Sequence, residues 1–174
     1  MNLGTMHIDI CDPISLKDYT SKKMTTVAEF NPFKNHAHQL KVNADLAYEI
    51  VYILQKNLRM MPTTMVASLV LQYRKGISHA ELSNKMMWLG MIIKDRGAKI
   101  DNDTGLPGRN TIKIGLEHLN GYLENKSGIY SPDVEKDLGN IIMLTYYRNP
   151  LNQIFFNEGI ILCAIHSFGL ESGW

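Results

Sequence analysis

Cysteine is scarce in this chain: there are two, Cys11 and Cys163, far apart and without metal-ligand spacing. That scarcity argues against a disulfide scaffold or a cysteine-held metal and leaves two buried thiols in a reducing compartment as the simplest reading. Net charge is equally scarce, with 18 Lys and Arg against 17 Asp and Glu. A chain so near neutrality has no general attraction for nucleic acid or an anionic bilayer, so binding of either kind needs a local patch. The N-terminus shows neither the charged nor the apolar region of a secretory signal, and none is expected. A long unbroken apolar run is missing too: residues 141–170 are interrupted by Arg148, Asn149, Pro150, Asn157 and Glu158. No spanning helix is expected, while peripheral membrane association stays open.

What is present suits an ordinary globular protein of one domain or one and a fraction: 174 residues, 45% hydrophobic and 20% charged. The stretch from Tyr146 to Ala164 sets one arginine and one glutamate inside an apolar run. A buried, unpaired charge is costly, so Arg148 and Glu158 should each find a partner or reach water. Asn149 and Pro150 read as an N-cap and a first helical residue, placing Arg148 at the end of the preceding helix to cap its last carbonyls. The alternative is that Arg148 holds a phosphate or a carboxylate across a domain interface.

Taken in order, residues 6–14 alternate weakly and allow a strand that Pro13 confines to an edge or end. Residues 19–42 are polar and read as a surface connection; His36 and His38 lack a third ligand and are expected to be solvated loop histidines. Asn43 can cap a helix with Leu46, Ile50, Ile53, Leu54 and Leu58 on an inward stripe. Pro62 opens a second helix, with Val66, Leu69, Val70 and Tyr73 inward, ended by Lys75 and Gly76. Ser78 and Glu81 form a capping box before Leu82, Met86, Leu89 and Ile93, and Gly97 stops that helix. The DNDTGLPG loop at 101–108 lacks the alternating acidic ligands and final glutamate of an EF-hand, so no calcium site is expected. Ile112, Leu116, Leu119 and Leu123 mark another helix, an extended piece follows near Gly128 to Tyr130, and Ser131, Pro132 and Asp133 start a helix running through Leu138, Ile142 and Tyr146.

The ordered set HIDICDPISLKDY, DLAYEIVYILQKN, TTMVASLVLQYRKGISHAELSNKMMWLGMIIKDRGAKI and YYRNPLNQIFFNEGIILCA resembles the C-terminal region of the glycerol-3-phosphate and dihydroxyacetone-phosphate acyltransferases, roughly from Leu3 to Ile165. The short polar connection is closer to the dihydroxyacetone-phosphate branch. The resemblance implies a mainly α fold: residues 1–18 as the terminal strand segment of an α/β acyltransferase domain, 19–42 as linker, and 43–170 as the helical C-terminal domain. It also implies a parent enzyme that moves an acyl group from acyl-CoA to a hydroxyl of a phosphorylated three-carbon acceptor. His7 and Asp12 satisfy that family's His-x4-Asp spacing, but the catalytic pair lies upstream of the PISL-like segment. On a strand, moreover, residues five apart face opposite ways. No catalytic, cofactor-binding or metal-binding residue is therefore assigned to this chain. Its implied partner is the acyltransferase catalytic domain in cis, with acyl-CoA reached only through that domain. The implied address is a membrane, peroxisomal for the dihydroxyacetone-phosphate branch and otherwise mitochondrial or endoplasmic reticulum.

Two readings stand beside it. The order helix 62–74, turn, helix 79–96, wing 98–106 resembles a winged helix, but only Asn84, Lys85 and Lys94 face a groove among many methionines, so no nucleic acid is expected. A helical interaction module would instead dock through Met86, Met87, Trp88 and Met91 or through Phe155 and Phe156.

Overall fold

A computed structural model describes residues 7–26, 29–101 and 107–168. The chain divides into two compact units, with the boundary between Asn57 and Leu58.

The first unit holds α1 (Leu16–Thr26) and α2 (His36–Asn57). No strand forms over residues 7–15. A strand lasts only as part of a ladder, and among the described residues no strand lies alongside this stretch in a ladder. The 19–42 connection is likewise partly helical, containing most of α1 and the first two turns of α2. Asn43 is not the cap: Asn35 Oδ1 accepts from the Ala37 and His38 N–H groups at 2.9 and 3.4 Å. The Asn31 side chain makes a similar turn just before, accepting from Phe33 and Lys34. Asparagine competes well for free amides wherever a helix starts, and the earlier asparagine reaches them first. The expected inward stripe on α2 faces outward at Ile50 and Leu54, and Val42 is the buried residue of that helix. Lys23 and Asp45, 2.8 Å apart, tie α1 to α2.

The second unit is built around α3 (Pro62–Gln72), whose residues Thr64 to Ala67 and Leu69 to Leu71 are all buried. Such a helix is apolar on every side because it has neighbours on every side. Pro62 stands in its first turn as expected, and Gly76, with φ 120°, turns the chain after it. Next come β2 (Ile77–Ser78) and α4 (His79–Asp95). The Ser78 Oγ accepts from the Glu81 N–H at 3.2 Å, Leu82, Met86, Leu89 and Ile93 point inward, and Gly97 ends the helix at φ 74°. Ser78→Ala should cost about 1 kcal/mol, read as a lower urea midpoint at unchanged slope.

β3 (Lys99–Ile100) runs parallel to β1 (Arg59–Met60). Residues 102–106 lie outside the described residues, and with them most of the DNDTGLPG loop and of the supposed wing. The base of that wing is not a hairpin, since β3 pairs in parallel with a strand 40 residues earlier. α5 (Arg109–Leu119) follows, its Thr111 Oγ1 accepting from the Gly108 N–H. The helix stops before Leu123, which opens β4 (Leu123–Lys126); β4 pairs with β5 (Ile129–Pro132), and β5 with β2. Ser127 and Gly128, at φ 54° and 84°, form the two-residue turn whose twist suits a hairpin.

Pro132 thus ends a strand and starts no helix; α6 (Gly139–Asn152) begins seven residues later. The Asp133 and Asp137 side chains accept the Lys136 and Gly139 amides and hold the intervening turn. Asn149 and Pro150 lie inside α6, which stops only after Asn152. A proline in the last turn removes one hydrogen bond where few remain, and buried Leu151 anchors the chain beyond it. The break therefore falls at 153–155, and α7 (Phe156–Ser167) follows.

Candidate functional site

The close of α4 and the last turn of α6 meet at one end of the second unit, and the chain path dictates it. α3 runs from the β1/β3 pair towards β2, and α4 returns to β3. α6 starts near β5, where Asn140 Nδ2 donates to the Asp133 carbonyl at 2.7 Å, and packs along α3. It finishes beside the end of α4, where Arg96 Nη1 donates to the Ile154 carbonyl at 2.5 Å. The last turn of α6 therefore lies at the β1/β3 end.

Arg96 is the hub there. Its Nη2 meets Glu158 Oε1 at 2.6 Å, and its guanidinium lies over the Phe155 ring at 4.6 Å. Glu158 has the partner its surroundings required, on a residue that sequence reading treated only as the tail of α4. Its carboxyl is held below the usual range, chiefly by its own backbone N–H and then by Arg96. A carboxylate lowered on folding contributes stability that is full above its unfolded pKa and is lost as pH falls through the folded one. Protection of the α7 amides, relative to their intrinsic exchange rates, should accordingly fall as the pH drops below the ordinary carboxylate range, and Glu158→Gln should flatten that dependence.

Arg148 does not cap a helix end. It lies within α6 on the side of Leu144 and Leu151, and its Nε is buried without a hydrogen-bond partner. Arg59, on β1, shares this property. Register pairs Arg59 with Lys99, and Met60 with Ile100. Parallel partners point to the same face, so the two apolar side chains enter the core and the two cations share the other side. Lys99 and Asp101 both have interactions of their own. Arg59 and Lys99 are 40 residues apart in sequence, and no local pattern announced their pairing.

The remaining candidates are ordinary. His38 Nδ1 accepts from the Asn31 N–H and its ring stacks on Phe30, while His36 meets Gln39. Among the described residues no group of three or more His, Cys, Asp or Glu side chains could hold a metal ion. His7 and Asp12 are exposed on a stretch without regular structure. The cysteines are free but not both hidden: Cys163 is exposed on α7, which buries none of its residues, and Cys11 is half-buried beside Asn57. Of the methionine-rich segment, Met86 belongs to the core, whereas Met87, Trp88 and Met91 are exposed. Apolar exposure continues at Leu138 just before α6, at Ile142 and Tyr146 on α6, and along α7 from Phe156 to Ile165. Phe155 is half-buried under Arg96 and Phe156 is open. Among the described residues no helix is long and apolar enough to cross a membrane.

A family described as the glycerol-3-phosphate acyltransferase C-terminal region matches residues 1–172. The human dihydroxyacetone phosphate acyltransferase is 23% identical over 180 aligned positions, which take in 94% of this chain and 26% of that protein. This chain therefore spans about a quarter of the length of that relative. With a mainly helical fold and a family match along nearly its whole length, the chain belongs to the glycerol-3-phosphate acyltransferase C-terminal region family.

Proposed function

We propose that this chain is the non-catalytic, helical C-terminal part of an acyl-CoA-dependent dihydroxyacetone-phosphate O-acyltransferase of ether-lipid and glycerophospholipid synthesis. The observation that carries this reading is the similarity to the human dihydroxyacetone phosphate acyltransferase along 94% of the chain. On this reading the chain is inert alone and packs against an acyltransferase catalytic domain, which supplies acyl-CoA and the acceptor. Residues 1–18 would complete that domain, 19–42 would connect, and 43–170 would form the helical part. The exposed apolar side chains on α4, α6 and α7 support it, because an interface needs an apolar centre. The assembled enzyme would work at a membrane, peroxisomal for this acceptor. The second reading is the same region of a glycerol-3-phosphate acyltransferase, favoured by the description of the matching family.

The test is to mix the purified chain with a separately expressed catalytic domain of the family and follow acyl transfer to both acceptors. Activity that rises only on mixing supports the reading, and the preferred acceptor names the branch. Acyl transfer by this chain alone would overturn it, as would absence of both binding and gain.

A further inference from the structure

A half-open crevice of about 270 Å³ lies between the end of α5 and the β4–β5 hairpin, lined by Leu116, Glu117, Asn120, Leu123, Asn125 and Tyr130. The chain builds it from one sheet face and one helix end. Leu123 and Asn125 alternate along β4 and so share a side of it, and register sets Tyr130 of β5 opposite Asn125 on that same side. The last turn of α5 and its capping Asn120 form the other wall. The hairpin wall is set without a ligand. Leu123 is buried, Asn125 Oδ1 accepts the Gly128 N–H at 2.9 Å, and the Tyr130 ring stands 6.1 Å from that of His79. The charge of the crevice has one sign. A helix presents the negative end of its dipole at its C-terminus, Glu117 adds a carboxylate there, and none of the six lining residues is a cation. Lys113 meets Glu117 at 3.8 Å, but the two side chains are 71% and 60% exposed, and such a pair on one helix face is weak. Glu124 and Lys126 satisfy each other at 2.7 Å, and alternation puts them on the opposite side of β4.

We propose that this crevice binds the ammonium end of a small primary amine. Glu117 accepts a charge-assisted hydrogen bond from the ammonium group, Asn120 brings a second acceptor, and the carbonyl end of α5 favours the positive charge. The Tyr130 ring offers that charge a π-face, and Leu116 and Leu123 receive the alkyl part. The volume is just under the usual range for ligand pockets, about 300–1,000 Å³, so the amine is one of few carbons. An anion would meet like charge at Glu117 and the helix end, and a neutral alcohol would forgo the ion pair. The same ammonium group is carried by soluble amines and by the ethanolamine headgroup of a phospholipid. The crevice is made by this chain alone, so binding does not require the catalytic domain proposed above.

The experiment uses the full chain. Butylammonium chloride is titrated against it at constant ionic strength set with sodium chloride, following the backbone amide resonances. The shifts should saturate and be largest over residues 116–130, with butanol and butyrate, its neutral and anionic counterparts, about tenfold weaker or more. Glu117→Gln should weaken butylammonium binding about tenfold, the scale of one hydrogen bond to a charged group. Glu117 is exposed, so this variant should keep the thermal midpoint of the parent, and loss of binding is separable from loss of fold. Lys113→Gln frees the carboxylate of its exposed neighbour and should not weaken binding. Asp18→Asn, which removes an exposed carboxylate on α1, should leave it unchanged. No saturable shift in the unaltered protein overturns the proposal. So does butanol binding as tightly as butylammonium, or Glu117→Gln binding as tightly as the parent. Sedimentation with phosphatidylcholine vesicles, with and without phosphatidylethanolamine, then separates the sources. Capture that needs phosphatidylethanolamine and is lost in Glu117→Gln assigns the headgroup, and butylammonium binding without capture assigns a soluble amine.

Discussion

Leu144→Ala is expected to lower the unfolding free energy by about 2–5 kcal/mol, the usual range for a fully buried leucine. Leu144 is 0% exposed and stands mid-way along α6, the helix that packs most extensively on α3. Its side chain is therefore part of what holds α6 against the central helix. A small domain has about 5–15 kcal/mol in total, so this one truncation removes a large share. Urea unfolding followed by far-ultraviolet circular dichroism measures it. A loss below about 1 kcal/mol would mean that α6 is held mainly elsewhere, for instance at Leu151 or through Asn140.

Gly115→Val should be nearly as damaging, for the opposite reason. A Cβ at position 115 would stand 2.7 Å from Val66 Cγ2 and 2.9 Å from the Pro62 carbonyl oxygen. The valine can rotate, but the carbonyl belongs to the first turn of α3 and cannot yield without moving that helix. Overpacking of this kind costs about 1–3 kcal/mol and sometimes more, and any gain in helix propensity from removing glycine, at most about 1 kcal/mol, does not offset it. Alanine at 115 meets the same carbonyl and should also destabilise, which distinguishes close approach from simple bulk. A variant as stable as the parent in the same urea assay would show that α5 can slide away from α3.

How legible this was depended on how far apart the partners lie. Helices α3 and α4 were readable because Pro62, Ser78, Glu81 and Gly97 act on backbone groups within a few residues of themselves. The errors came where one local signal competed with another. Asn43 is a sound cap, but Asn35 is available eight residues sooner. Asn149 and Pro150 looked like a start, yet buried Leu151 carried the helix past them. The inward stripe of α2 was a correct periodicity with the wrong destination, since period alone says which residues share a face and not what covers it. Of the charged cluster, only the unease about Arg148 and Glu158 was visible. The answer to Glu158 was Arg96, 62 positions away, and Arg148 shares its difficulty with Arg59, 89 positions away. Such pairings are made by topology, which no window of sequence contains.

The parallel pairing of β1 with β3 also orders events in time. This two-residue ladder joins strands 40 positions apart and closes a loop that contains both α3 and α4. Closing such a loop costs entropy that only its own few contacts return directly, so it is favourable once the helices inside it have already docked. The ladder is then expected to form after α3 and α4 have docked and to open before they part.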